Sequence, residues 1–220
     1  MARRVAFEEK LRSLHQDLIE MQTLVEKSMD DTIKALKTHD VKMANAVIER
    51  DDEIDEMELK IERKCLAIIA GQQPMASDLR DIVGVLKIIT DLERIADHCS
   101  DISKYTIKLA DETYVKPLIR IPKMAEEVKI MINNVIDCWI DKDISKAKEV
   151  LKHDDIVDKY FEDIVEELIG IMESTPETTR QCTYFIFIAK YLERMGDHAT
   201  NIAEWIGFTV TGDHTQVHDG

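Results

Sequence analysis

Read from Phe7 onward, apolar or small positions recur at Leu11, Leu14, Leu18, Met21, Val25, Ser28, Thr32 and Leu36, in alternating steps of four and three. That spacing lays one face of a helix against a partner, and a continuous helix over this stretch is about 45 Å long at ~1.5 Å per residue. The pattern predicts an end near Thr38 and His39. Asp40 then reads as the N-cap of a second helix whose stripe, Val47, Ile54, Ile61 and Ile68, advances by sevens and stops at Gly71. Pro74 is placed in the first turn of a third helix, where a missing N–H costs nothing. That helix carries Leu79, Ile82, Leu86, Ile89, Glu93 and Ala96 toward an end near Asp111.

Pro117 and Pro122 interrupt the pattern, because each proline disfavours helix at the residue before it. The plan then repeats. Helices are predicted from Met124 to about Ile140, from Asp143 to about Met172, and from Pro176 to about Phe208. The stripe Val150, Val157, Ile164 and Ile171 is the earlier one displaced by 103 residues (150 − 47 = 103), with Asp143 standing where Asp40 stood. In the third helix of each half the phrase Leu92-Glu93-Arg94-Ile95-Ala96-Asp97-His98 returns as Leu192-Glu193-Arg194-Met195-Gly196-Asp197-His198, an offset of 100 residues (193 − 93 = 100). Registers kept inside helices, with a shorter loop between them the second time, are what a duplicated packed repeat tolerates. The prediction is an all-α protein of two tandem pseudo-symmetric three-helix bundles, residues 1–114 and 115–208, followed by a flexible polar tail, 209–220. Seven glycines, four prolines and 5% aromatics suit long helices better than sheets.

A formal net charge of −15 argues against nucleic acid, whose phosphates require Lys and Arg, and favours cations or basic protein surfaces as partners. No apolar run approaches the length a bilayer demands, and the N-terminus leads into a charged amphipathic stretch rather than a signal sequence, so a cytoplasmic protein is expected. Cys65, Cys99, Cys138 and Cys182 lack CxxC spacing and fall in apolar patterns. They read as reduced core residues, with a disulfide or thiolate metal site as the lesser alternative.

The acidic residues fall into matched groups. Residues four apart share a helix face, so Glu93, Asp97 and Asp101 form one ladder and Glu193, Asp197 and Asn201 another. The second helix of each half carries Asp51, Asp52 and Asp55, or Asp154, Asp155 and Asp158, flanking its apolar seam. Glu93 and Glu193 continue the seven-residue stripes of their helices toward the packed side, where an uncompensated carboxylate is strongly disfavoured. Two compensations stay open. Arg94, Arg194, Arg80 and Arg180 could build a structural Arg–carboxylate network across helices. Alternatively, Asp51 and Asp55 face Glu93 and Asp97, and Asp154 and Asp158 face Glu193 and Asp197, as all-oxygen sites for divalent or ferric ions. The spacing alone is common on solvated helix faces; its duplication at matched registers is what points to metal. Replacement of Asp101 by Asn201 predicts that the two sites differ in charge and metal affinity. His98 and His198 are expected beside the sites rather than in them, and the methionines are expected as core filling.

No Glu-x-x-His pair, HExxH, Walker loop, dinucleotide fingerprint or nucleophile elbow is present, so enzymatic chemistry has no visible home. The chain resembles the PhoU family of bacterial phosphate-signalling proteins. The resemblance rests on Gln73-Pro74-Met75-Ala76-Ser77-Asp78-Leu79-Arg80, the two Leu-Glu-Arg-x-x-Asp phrases, Asn201-Ile202-Ala203-Glu204, and the Asp51/Asp55 and Asp154/Asp158 pairs, and it covers about Phe7 to Phe208. It implies a negative regulator of phosphate uptake and phosphate-starvation signalling. In that role the protein links the ATPase subunit of the phosphate ABC transporter to a membrane sensor histidine kinase and touches the membrane only through these partners. It also implies multinuclear iron or zinc, held by Asp51, Asp55, Glu93 and Asp97 and by Asp154, Asp158, Glu193 and Asp197; the ladders extend the candidate metal residues to Asp101 and Asn201, and manganese or magnesium are alternatives. A carboxylate-bridged metalloenzyme and a purely structural helical scaffold are the competing classes. Exposed apolar seam positions are compatible with a homodimer.

Overall fold

The structure, a computed structural model, describes residues 2–212, with side chains from Val5. Its α-helices are α1 (Ala2–Thr38), α2 (Val41–Gln72), α3 (Ala76–Leu109), α4 (Arg120–Asp141), α5 (Ile144–Ser174) and α6 (Thr179–Thr211), with a short 3₁₀ turn at Pro176–Thr178. No strand occurs among the described residues. The caps fall where the sequence places them. Asp40 accepts a hydrogen bond from the Met43 N–H, and Asp143 accepts one from the Ser145 N–H, each satisfying a donor that the first helical turn leaves without an intrahelical partner.

The predicted stripes are the core. Val47, Ile54, Ile61 and Ile68 are buried on α2, and Val150, Val157 and Ile164 on α5, while Ile171 is half-buried. On α1, Ser28 and Thr32 lie buried in the seam, Thr32 donating to the Cys99 carbonyl at 3.4 Å. All four cysteines are free and buried, and burial pushes the Cys65 and Cys99 thiols up to about 12.

Several boundaries move. Pro74 precedes α3 instead of entering it, because the helix begins at Ala76 with Met75 as its cap. Leu79, one turn in, is 38% exposed: the stripe reaches the core only from Ile82. Pro122 opens no gap; it is buried in the first turn of α4, which starts at Arg120. Helix α6 runs past Phe208 to Thr211, so the expected tail begins later. Thr209 is buried, and residues 213–220 lie outside the described residues.

Helix α1 packs on α2 and α3, α4 packs on α5 and α6, and α1 touches α4 only lightly. The halves join mainly through α3 against α6. The result is a layer in the order α2, α3, α6, α5, backed on one side by α1 and α4. The acidic ladders lie on the members of this layer.

Candidate functional site

The first cluster forms where α2 crosses α3. Asp51 is half-buried and its Oδ1 has no hydrogen-bond partner. Burial and then the Asp97 carboxylate push it up to about 6, against a Ser100 hydroxyl that draws it down. Glu93 is pushed up to about 7 by burial, followed by repulsion from Asp97, Glu58, Asp55 and Asp51. Asp55 is raised by burial and by Asp97 and Asp52. The carboxylates that α2 and α3 were predicted to bring together therefore do face one another. Glu58 joins them, its Oε1 accepting from the Thr90 hydroxyl at 2.9 Å. The sequence held its signal, since Asp51, Asp55 and Glu58 follow steps of four and three on one face.

The second cluster repeats the geometry with different neighbours. Burial, then Asp158, Asp197, Asp155 and Glu193, push Asp154 up to about 6, and burial followed by Glu193 raises both Asp158 and Asp197. Here a cation bonds a cluster carboxylate directly, Lys190 Nζ donating to both oxygens of Glu193 at 2.5 and 2.6 Å, whereas Lys104 of the first half is bonded to Asp101 and acts on Asp51 and Asp97 through its charge. Lys190 stands at the position of Thr90, and Phe161 at that of Glu58, so the second cluster has lost a carboxylate and gained an ammonium. The two halves also differ in charge at Lys104, which Glu204 replaces, and at Asp101, which Asn201 replaces.

Asp101 reaches the first cluster through Lys104, whose ammonium is held by Asp101 and drawn also by Asp51 and Asp97, whereas Asn201 faces the interface of the halves. Asp101 accepts from Lys104 at 2.9 Å and lies close enough to Tyr191 to help raise that phenol, after burial. Asn201 lines a cleft of about 490 Å³ between α3 and α6 with Arg94, Asp97, His98, Arg194, Asp197 and His198. The duplicated phrases thus meet each other across the interface of the halves. The His98 and His198 rings lie 5.6 Å apart, and His198 Nδ1 is 2.8 Å from Asp91 Oδ1. Burial, then His198, holds His98 down near 4, and its Nδ1 has no partner.

The proposed arginine network does not form. Among the described residues neither Arg94 nor Arg194 has a carboxylate within ion-pair distance, Arg80 Nε is buried without a partner, and Arg180 pairs instead with Glu112 at 2.5 Å. Guanidinium compensation of Glu93 and Glu193 is set aside because the side chains after Leu92 and Leu192 diverge: Glu93 turns toward α2, Arg94 toward the cleft. As they stand, no three His, Cys, Asp or Glu side chains among the described residues are gathered to chelate one ion. An orphaned, buried Asp51 oxygen and three carboxyls raised to about 6 to 7 by burial and then by their acidic neighbours nevertheless fit a hard cation, whose charge would offset both costs.

Comparison with known proteins decides the family. The PhoU domain matches residues 18–106 and again 121–206, one copy on each half. The chain belongs to the PhoU family. It is 40% identical over 220 residues to a phosphate-specific transport system accessory protein PhoU homolog of Clostridium acetobutylicum, covering all of both chains. It is 36% identical over 212 residues to the Rhizobium meliloti homolog, covering 96% of this chain and 90% of that one. The crystal structure of PhoU from Pseudomonas aeruginosa superposes with a TM-score of 0.90 at 34% identity, covering 94% of this chain and 100% of that one. That of the phosphate transport system regulatory protein PhoU from Streptococcus pneumoniae gives 0.88 at 27% identity, covering 94% of this chain and 98% of that one. The curated relatives are named accessory proteins and the Streptococcus pneumoniae one a regulatory protein, rather than enzymes, and the two crystal structures share this chain's fold. No helix among the described residues is long and apolar enough to cross a membrane.

Proposed function

We propose that this chain is a regulatory adaptor of a phosphate-specific transport system. It restrains phosphate uptake and phosphate-starvation signalling by docking to the transporter's ATPase subunit and to a sensor histidine kinase in the cytoplasm. The relatives' names support the transport role. The observation that carries the mechanism is the first carboxylate cluster, in which Asp51, Asp55, Glu58, Glu93 and Asp97 face one another across α2 and α3, and Asp51, Asp55 and Glu93 are raised by burial first and by Asp97 next. Asp51, Asp55, Glu93 and Asp97 would hold divalent or ferric ions, iron or zinc first and manganese or magnesium as alternatives, and Asp154, Asp158, Glu193 and Asp197 would do so more weakly because Lys190 competes. A bound cation supplies positive charge to an otherwise acidic face, reversing the local field that a partner's charged patch meets.

The test is binding of the purified ATPase subunit and of the kinase's cytoplasmic segment to wild type and to Glu93→Ala/Asp97→Ala, with and without added divalent metal. The adaptor reading expects wild-type affinity to respond to metal and the variant's response to vanish. Equal binding by the variant in both conditions rejects the role of these residues. A scaffold reading is favoured only locally, at the second cluster, where Lys190 already satisfies Glu193.

A further inference from the structure

The contacts between α3 and α6 come in pairs related by exchange of the halves, and the pairs have diverged in chemistry. Tyr105 stacks on Phe187 at 5.7 Å; its counterpart Trp205 takes Lys87 over its face at 5.2 Å. His98 lies 5.4 Å from the Tyr191 ring; its counterpart His198 is bound to Asp91. Tyr184, 5.1 Å from Tyr105, stands where the other half has Gly84. One end of the α3–α6 seam is therefore polar and internally paired, and the other is a continuous plate of rings. Phe187 on that plate is 45% exposed, whereas the other aromatic side chains among the described residues are buried or half-buried.

The charges around the plate are not those of the chain as a whole. Lys108 sits 4.6 Å from the Tyr105 ring and, among the described residues, has no carboxylate partner. Arg194, close enough to influence Tyr191, has none either. Of the acids near this end, Asp101 is paired with Lys104 and Glu112 with Arg180, while Asp97 and Asp197 share the cleft of Arg194 without coming within ion-pair distance of it. A protein of net charge −15 has thus kept two cations without a carboxylate partner beside an exposed aromatic surface, and aromatic rings with Arg are the residues enriched at protein interfaces.

We infer that the ring plate of Tyr105, Tyr184, Phe187 and Tyr191, with Lys108 and Arg194 at its edge, is a docking surface for an acidic segment of a partner protein that carries an apolar anchor. The inference rests on the adaptor reading and deepens it: the carboxylate clusters take cations, whereas this end of the same layer takes an anionic partner. Because the opposite end of the seam lacks the plate, a pseudo-symmetric molecule acquires one distinguishable docking end.

The test uses the full chain with ¹³C-labelled Tyr and Phe rings and two peptide probes, a short acidic peptide with two central leucines and the same peptide with lysine replacing every acid. The acidic peptide is expected to shift the Tyr105, Tyr184, Phe187 and Tyr191 signals. Phe187→Ala and Lys108→Glu should each weaken it about ten-fold, a loss of about 1.4 kcal/mol, while Lys87→Ala, at the matching place on the other end, leaves it within about two-fold. Phe187 and Lys108 are exposed, so neither change threatens the fold. No ring shifts, equal binding of the lysine peptide, or indifference to both variants overturns the inference. So does sedimentation showing a wild-type dimer that Phe187→Ala dissociates, which would make the plate a copy-to-copy contact. If the acidic peptide binds as expected while neither the ATPase subunit nor the kinase segment binds wild type, the adaptor reading fails and the plate stands.

Discussion

Glu93 shows how much of the site a single residue's register reveals. Its place in the seven-residue stripe put it toward the packed side, and it is half-buried there, facing α2. A carboxyl whose pKa is raised on folding binds its proton more tightly in the native state, so native protein gains stability as pH falls through about 7 toward the ordinary carboxylate range and loses it as pH rises. Ion-free protein should therefore melt at a higher temperature near pH 6 than near pH 8. Glu93→Gln should raise the melting temperature at about pH 8 and flatten that slope, as calorimetry across the range would read; an unchanged slope would place the repulsion elsewhere. His98 has the opposite sign. Its folded pKa is depressed to about 4, so its contribution is present above about 6.5 and is lost as pH falls toward 4. What the sequence concealed at this scale was Lys190. One ammonium three residues before Glu193 reads as an ordinary surface pair, and only the structure shows that it bonds both Glu193 oxygens while Thr90, in its place in the first half, is bonded to a fifth acid, Glu58.

Helix registers were legible because burial acts on every turn. The α2 stripe is buried at all four positions, and Ile54→Ala, which removes a fully buried side chain, should cost about 2–5 kcal/mol in urea unfolding. Helix ends were less legible, since they depend on what docks there. Leu79 fits the stripe but lies beyond the core's reach, whereas Thr209 breaks the pattern and is buried because Gly84 lets it in. A methyl at Gly84 would stand 2.3 Å from Thr209 Cγ2. Gly84→Ala should destabilise by about 1–3 kcal/mol through overpacking, despite the helix propensity gained. Adding Thr209→Ala should recover most of that loss; a double variant no better than the single would show that the contact is not the cause.

For the molecule as a whole, the duplication was readable and the docking of its halves was not. Hydrophobic periodicity records which face of each helix is buried, but α3 carries one face toward α1 and α2 and a second toward α6, and the pattern does not say which neighbour claims which. The histidines of the repeated phrase read from the sequence as neighbours of the acidic ladders, and what the pattern does not reveal is that they meet each other across the interface. The same docking puts both carboxylate clusters on the α2–α3–α6–α5 layer and the aromatic plate along its central seam. A cation that relieves the clusters should stabilise this layer against unfolding. Adding a divalent metal at about 100 times its Kd should raise stability by about 2.7 kcal/mol, read as a shift in the urea midpoint, and the shift should be smaller in a first-cluster variant than in a second-cluster one.

The central claim is that the carboxylate ladders are ligands and not only surface charge. Metal content by mass spectrometry, on untagged protein and on a Glu93→Ala/Glu193→Ala double variant, tests it most directly. The account predicts near-stoichiometric iron, zinc or manganese in wild type, lost in the variant with the fold intact. Equal metal in both, or none in either with the variant destabilised, would contradict it and leave the ladders as structural charge.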